Sequence, residues 1–122
     1  MDETNRQKLS KHTRTIRRSA RAGDVDEMRV AHAHAVELVV ADRTAYNDFE
    51  DSVASDMKLG YILGFNHELK EAARLFRANQ FIPGCQAVTA AEIYAPLTGI
   101  PKDETARRVE QAYSTYNPHQ VA

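Results

Sequence analysis

The chain has 122 residues and a mass of 13.7 kDa, which suits one domain built around a single hydrophobic core. Hydrophobic residues make up 43% of the chain and charged residues 27%, so the composition argues against both a disordered chain and a membrane protein. The net charge of −1 also lacks the strongly basic balance that is usual in DNA-binding domains.

The sequence shows no segment that would direct the chain into or across a membrane. No apolar run approaches the length of a bilayer span, and the start of the chain is mostly polar, without a secretion signal. The single cysteine, Cys85, has no second cysteine to pair with, which suits a reducing compartment, and we expect it to be a small buried residue. We therefore predict a cytoplasmic protein that does not bind membranes.

The first predicted helix is strongly basic and ends at Gly23. Leu9, Ile16 and Ala20 share one narrow apolar stripe, as expected for a helix that buries a single edge. The remainder of this helix includes the arginines Arg14, Arg17, Arg18 and Arg21.

The charges of the first half of the chain are separated along the sequence. Residues 1–22 carry seven Arg/Lys against two acids, a balance of +5, whereas residues 24–58 carry three against nine, a balance of −6. One interpretation is that the basic helix lies against the acidic segment of its own chain or of a twin subunit. The other is that the clustered arginines bind the phosphates of a nucleic acid.

A capping residue opens the second predicted helix. Asp24 is followed three residues later by Glu27, which resembles a capping box, and apolar residues then recur at helical spacing from Val25 to Val40. The acidic stretch that follows predicts a bend or short loop near Asn47, although one long continuous helix is an alternative. The candidate caps for the segment after that bend are Asp51 and Ser52.

The most regular apolar stripe of the chain runs from Phe49 to Phe76 and predicts a central helix. Pro83 and Gly84 are expected to break it. Gly60 and Gly64 lie four residues apart within this helix, where missing side chains permit the close approach of another backbone; a local break between two shorter helices is the alternative.

Two shorter helices are predicted towards the carboxyl end. Thr89 with Glu92 forms a capping box, so we expect a helix over residues 90–98, tightened by the proline at position 96 and ended by Gly99. The last helix is expected to start near Asp103 as its N-cap and to stop before the proline at position 118.

These patterns predict an all-α fold, a bundle of four to five helices with a helix-turn-helix-like corner at its carboxyl end. No alternation typical of β-strands is sustained anywhere. We expect a single domain over residues 1–122. Its predicted parts are a basic helix at 1–22, a long helical hairpin at 24–82, a helix-turn-helix-like pair at 86–116 and a loose tail at 117–122.

The stretch "GIPKDETARRVEQ" resembles the turn and recognition helix of winged-helix and related bacterial transcription regulators, with a match that covers residues 88–113. The resemblance concerns the helix pair, because no β-wing sequence follows Tyr116. It implies that the last helix contacts double-stranded DNA, since arginine reads guanine and glutamine reads adenine through paired hydrogen bonds. The residues implied are Lys102, Arg107, Arg108, Gln111 and Thr115, and they also suit an ordinary solvated face.

Metal binding and catalysis have little support in the sequence. His32 and His34 lie on different sides of a helix, and neither His34 with Glu37 nor His67 with its neighbouring acids completes a Glu-x-x-His set. No nucleophile elbow or phosphate-binding glycine loop occurs. We expect no metal, no cofactor and no catalytic residue, and we interpret His32 as a histidine at the edge of the core.

The sequence therefore predicts a small non-enzymatic helical protein, a DNA-binding transcriptional regulator acting through its last two helices. The alternative is an accessory factor, for example a virus-encoded one, that binds a partner protein through a helical surface. We expect a homo-oligomer, most simply a dimer. A third hypothesis is that the arginine-rich first helix folds on RNA.

Overall fold

The protein is described here by a computed structural model, which covers residues 1–120 and the side chains of residues 1–119. This part of the chain contains five α-helices and two short 3₁₀ turns and forms no β-strand, which confirms the predicted all-α fold. None of its helices is both long enough and apolar enough to span a bilayer. The helices are α1 (Glu3–Ala22), α2 (Val25–Val39), α3 (Arg43–Arg77), α4 (Phe81–Tyr94) and α5 (Lys102–Tyr113).

The turn between α1 and α2 follows the sequence signals closely. Gly23 adopts a left-handed conformation with φ of 68°, and its N–H bonds to the carbonyl of Ala20, so it closes α1 as predicted. The carboxylate of Asp24 then accepts a hydrogen bond of 3.1 Å from the N–H of Glu27. The predicted N-cap of α2 is confirmed.

The break between α2 and α3 lies five residues before the predicted one. The carboxylate of Asp42 accepts hydrogen bonds from the N–H groups of Thr44 and Ala45, at 3.1 and 3.2 Å, and so caps α3. The predicted bend at Asn47 and the predicted caps Asp51 and Ser52 are wrong, because all three residues lie inside α3. The segment predicted as a long hairpin, residues 24–82, therefore contains α2 and α3, and α3 ends at residue 77.

Gly60 and Gly64 also lie inside α3, so the alternative of a local break there is wrong. A Cβ atom built on Gly60 would lie 2.9 Å from Cε of Met28 and 3.2 Å from Cα of Ala20. The missing side chain lets α1 and α2 approach α3 closely at this point. This is the close backbone approach that the glycine spacing predicted.

The end of α3 and the start of α4 differ from the prediction. Helix α3 ends at Arg77, where Asn79 turns the chain with φ of 60° and the N–H of residue 80 bonds to the carbonyl of residue 75. Pro83 does not break a helix, because it lies in the first turn of α4, where its missing N–H needs no helical partner. The predicted start near residue 90 is wrong, and so is its capping box, since Thr89 donates its hydroxyl to the Cys85 carbonyl inside α4.

The connection to α5 keeps the predicted turn. Pro96 lies in a 3₁₀ turn, Ala95–Leu97, which is the predicted tightening, and Gly99 reverses the chain with φ of 77°. Pro101 rather than Asp103 occupies the N-cap position of α5. In the predicted loose tail, Pro118–Gln120 forms a 3₁₀ turn, and residues 121 and 122 lie outside the described part.

The contacts within the chain fall into two compact units, residues 1–63 and the residues from Gly64 onward. In the first unit, α1 packs along α2, and the first half of α3 contributes the rest of the buried side chains. Its larger fully buried side chains are Ile16, Met28, Val39 and Val53. Ser19 is also buried and satisfies its hydroxyl by donating to the carbonyl oxygens of Thr15 and Ile16.

The second unit is built from the end of α3, α4 and α5 around Phe76. Its ring is buried and packs near three other aromatic rings at centroid distances of 5.2 to 6.0 Å. Those rings belong to Phe81, Tyr113 and Tyr116. Cys85 is half-buried against this cluster, close to the role that the sequence suggested for it.

Gly84→Ala tests the close contact between α4 and this ring. A Cβ atom at position 84 would lie 2.6 Å from Cδ1 of Phe76, whose buried ring has little room to move, so we expect a loss of about 1–3 kcal/mol in the free energy of unfolding. Urea denaturation followed by circular dichroism measures it. Gln86→Ala, at an exposed position of the same helix, is the control and should change stability by less than about 0.5 kcal/mol. A neutral or stabilising effect of Gly84→Ala would contradict this packing.

Candidate nucleic-acid interface

The two neighbouring arginines of α5 bind the same carboxylate. Arg107 donates from Nε and Nη2 to the two oxygens of Glu104, at 2.9 and 2.6 Å. Arg108 donates from Nε to Oε1 of Glu104 at 3.0 Å and from Nη1 to Oδ1 of Asn66 at 3.1 Å. Both guanidinium groups are therefore paired within the second unit, although the Arg107 side chain remains 61% exposed.

This arrangement changes the acidity of Glu104. Hydrogen bonds from Arg107, and secondarily from Arg108, stabilise the charged carboxylate and lower its pKa from 4.5 to about 2. The same hydrogen bond raises the pKa of Arg107. Helix α5 contains three basic and three acidic residues. The helix that the sequence predicts to contact DNA therefore carries no net charge.

The other residues of this region that were predicted to contact DNA differ in whether their side chains have hydrogen-bond partners. Lys102 and Gln111 are exposed, and neither side chain has a hydrogen-bond or ion-pair partner among residues 1–119. Thr115 is half-buried and donates its hydroxyl to the carbonyl oxygens of Ala112 and Ala73, at 2.7 and 3.3 Å. Thr115 therefore links the end of α5 to α3, and its hydroxyl is less available to a ligand.

A groove of about 530 Å³ between α3 and α5 brings Arg108, Gln111 and Thr115 together. Its wall on α3 adds Lys70 and Arg77, two cations that the sequence reasoning did not assign to any site. Among the described residues, no carboxylate lines this groove. Its other lining residues are Asn66, Leu69, Ala73, Ala112 and Ser114.

Helix α1 presents a second basic surface, in the first unit. At 100° per residue, Arg6, Ser10, Arg14, Arg17 and Arg21 fall within an arc of about 80° and extend over about 22 Å, and we call this surface the arginine face of α1. All five side chains are exposed. Shallow depressions run along the helix on both sides of Arg14, lined mainly by these residues.

The acidic segment neutralises only part of this basic helix. Arg17 lies 3.5 Å from a carboxylate oxygen of Asp56, and Arg18 pairs with Glu27. Both partners belong to the acidic stretch, so the predicted contact of the basic helix with its own chain exists at these two points. Arg14 and Arg21 have no carboxylate partner among residues 1–119, and the two remain available to an external anion.

The histidines of α2 contact side chains of the neighbouring helices. Nε2 of His32 lies 2.6 Å from Oε1 of Glu50, and its ring is half-buried beside Phe49, which fits the interpretation as a core-edge residue. His34 stacks on His12 of α1 at a centroid distance of 5.5 Å. No group of three potential metal ligands occurs in the described part of the chain.

Comparison with known proteins adds no relative. No protein-family model, no curated protein and no solved structure matches this chain. The two basic surfaces are therefore the features of the chain that bear most directly on function. They offer guanidinium, ammonium and amide donors, which bind anionic oxygens such as those of phosphate.

Nuclear magnetic resonance of the Glu104 carboxyl tests the arginine pairing on α5. We expect a titration midpoint of about 2 in the native protein. Arg107→Ala should raise the midpoint more than Arg108→Ala, because Arg107 contributes the larger hydrogen-bonding effect. Lys102→Ala removes a cation of the same helix that does not touch Glu104, and it should leave the midpoint unchanged. A native midpoint near 4.5 would show that the pairing is absent in solution.

The loss of thermal stability at acidic pH tests the stacking of His12 on His34. Burial, and next the charge of His34, lower the pKa of His12 below 6.5; Lys11 and Lys8 add to the effect and Glu37 opposes it. The folded state thus binds fewer protons than the unfolded state once the pH falls below about 6.5, and stability decreases there. We expect His12→Gln to show a smaller drop in melting temperature between about pH 7.5 and 5.5 than the native protein.

The control for this experiment is His67→Gln, which changes an exposed histidine on α3. It should retain the full native drop in melting temperature. Equal drops in the native protein and in His12→Gln would contradict a role for the stack.

Proposed function

We propose that the protein is a non-enzymatic, nucleic-acid-binding protein that holds the phosphates of double-stranded DNA against the arginine face of α1. The observation that carries the proposal is the alignment of four arginines on less than a quarter of the surface of one helix. Three of them, Arg6, Arg14 and Arg21, have no carboxylate partner in the described part of the chain. Clustered arginines on one face are the electrostatic footprint of phosphate binding.

The internal ion pairs of α1 do not prevent such binding. The Arg17 side chain is 44% exposed and the Arg18 side chain 69% exposed. Ion pairs at this exposure contribute only about 0–1 kcal/mol each, because water screens them and because both side chains lose conformational freedom. A DNA phosphate can therefore replace Asp56 or Glu27 at little cost.

The acidic segment also supports a one-sided mode of binding. Residues 24–58 carry nine acids against three bases, and they form α2 and the start of α3, in the same unit as α1. Phosphates are repelled from these acids and attracted to the arginine face. Such a separation of charge orients the protein on a polyanion even though its net charge is close to zero.

A role in transcription control is a further part of the proposal and concerns α5. Reading of base edges requires free donors, and Lys102 and Gln111 supply them. Arg107 and Arg108 would first have to exchange Glu104 for DNA. For this reason α1, rather than the last two helices, takes the main part in the proposed contact.

Fluorescence anisotropy with a labelled duplex of roughly 20 base pairs tests the proposal, in salt from about 50 to about 200 mM. We expect binding that weakens steeply with salt. The double variant Arg14→Ala, Arg21→Ala should weaken it at least about tenfold at the low salt concentration and reduce the salt slope by about two, since two phosphate contacts are lost. Single-stranded DNA and duplex RNA, measured in parallel, show which nucleic acid is preferred.

The matched control is Arg29→Ala, Arg43→Ala, which removes the same charge from exposed positions of α2 and α3. It should retain native affinity within about twofold. Equal losses in the two double variants, or no binding at low salt, would overturn the proposal. Loss of binding in Arg107→Ala, Arg108→Ala, with native behaviour of the α1 variant, would assign the contact to α5 instead.

Binding of a partner protein is a second candidate function. The observation that favours it is a group of exposed apolar side chains on α4 and the turn that follows, where the exposed fraction is 70% for Ile82, 57% for Ile93 and 49% for Leu97. Exposed apolar groups that lie together commonly mark contact surfaces between proteins.

A further inference from the structure

The groove between α3 and α5 carries positive charge that the chain itself does not neutralise. Lys70 and Arg77 line it from α3, and neither side chain forms an ion pair or a hydrogen bond with another residue of the described part of the chain. The nearest acid along the sequence, Glu71, is bound by both donors of the Arg74 fork. The two cations of the groove wall are therefore available to an external anion.

These two cations follow one line along α3. Lys70 and Arg77 are seven residues apart, so they lie within about 20° of each other around the helix and about 10.5 Å apart along its axis. Ala73 comes between them in the sequence, and Ala112 lies on the wall of α5. Because alanine has only a methyl group, the middle of the groove stays open, and both long cationic side chains can reach it.

The wall on α5 adds a guanidinium group that is held in place. Arg108 donates from Nε to Glu104 and from Nη1 to Asn66, so two hydrogen bonds restrict its movement. Its Nη2 has no acceptor among residues 1–119. The carboxamide of Asn66 uses its oxygen in this contact and keeps its nitrogen as a donor. Because these donors are already ordered, a ligand that binds them loses little additional conformational entropy.

The charges and donors of the groove favour a doubly charged anion with several oxygens. Glu104 offsets the charge of Arg108, so the uncompensated charges are those of Lys70 and Arg77. A phosphate monoester carries a charge of about −1.5 to −2 at neutral pH and has three strong acceptor oxygens. A carboxylate, in contrast, carries one charge on two oxygens. Phosphate therefore matches this wall better than a carboxylate does.

We propose that the groove between α3 and α5 is a binding site for a phosphate dianion, either as a small phosphate monoester or as free inorganic phosphate. Lys70 and Arg77 hold the phosphate, and Arg108 and Asn66 add donors. Leu69 and the alanines form an apolar floor for the body of an ester, and the volume of about 530 Å³ suits a small molecule. The site shares no residue with the arginine face of α1, so it is independent of the proposed contact with DNA.

Chemical-shift titration of the ¹⁵N-labelled protein at pH 7.5 or roughly so tests the site, with adenosine monophosphate, inorganic phosphate and adenosine as separate probes at constant ionic strength. We expect saturable shifts in residues 66–77 and 108–115 with adenosine monophosphate, with a dissociation constant of about 0.1–5 mM, and none with adenosine. Tighter binding of adenosine monophosphate than of inorganic phosphate would support an ester as the ligand, and equal binding would support free phosphate.

The double variant Lys70→Ala, Arg77→Ala should raise the dissociation constant at least about tenfold, because both uncompensated charges are lost. The matched control is Arg43→Ala, Lys58→Ala, which removes one arginine and one lysine from exposed positions of the same helix. It should keep the native constant within about twofold. Circular dichroism should show native helix content in both variants, since all four side chains are exposed.

Three results would overturn the proposal. They are equal losses in the two α3 variants, saturable shifts that lie outside the groove, and binding of acetate as tight as that of phosphate. The variant Arg14→Ala, Arg21→Ala should bind adenosine monophosphate like the native protein. A failure of DNA binding by α1 and a failure of this site are therefore distinguishable.

Discussion

The second unit is organised around the contact between the Phe76 ring and the backbone of α4 at Gly84. Because position 84 has no Cβ, the helix lies directly on the ring, and Phe81, Tyr113 and Tyr116 close around the same side chain. This contact joins α3, α4 and α5 through one buried group. It also determines which side of α4 is buried, and therefore which apolar residues are left on the outside.

The placement of carboxylates decides which arginines of the chain can act on another molecule. On α5, Glu104 lies three and four residues before two arginines and accepts from both, so the positive charge there is neutralised locally. On α1, residues 6–22 contain no acid at all, and among the described residues the acids of neighbouring helices pair only with Arg17 and Arg18. The arginine pair that stands out in the sequence is thus neutralised. Helix α1, in contrast, keeps arginines without a carboxylate partner among residues 1–119.

Local signals explain how much of the fold could be predicted. Gly23, Asp24 and Gly99 act through their own backbone or their nearest neighbours, and the structure has all three in the expected roles. Pro83 was misjudged because proline is equally consistent with the first turn of a helix and with the end of one, and the distinction depends on packing. The bend between α2 and α3 was misplaced because several acids of one stretch could serve as caps.

The candidate site was predictable where its contacts are close in sequence. The spacing of Glu104 to Arg107 and Arg108 is visible in the sequence and indicates ion pairs on one helix. The contact of Arg108 with Asn66 joins residues 42 positions apart, and no sequence pattern indicates it. Lys70 and Arg77 were missed for the same reason, since their role depends on which side of α3 lies beside α5.

Residues 78–101 contain a single charged side chain, that of Glu92, and this affects how the protein responds to salt. Screening by dissolved ions weakens attraction between guanidinium groups and phosphates, whereas salts such as sulfate strengthen the association of apolar surfaces. Ionic strength therefore acts on these two kinds of contact in opposite directions. Dilute buffer favours the polyanion complex of α1, and concentrated ammonium sulfate favours a contact through the exposed apolar side chains of α4, so one variable separates them.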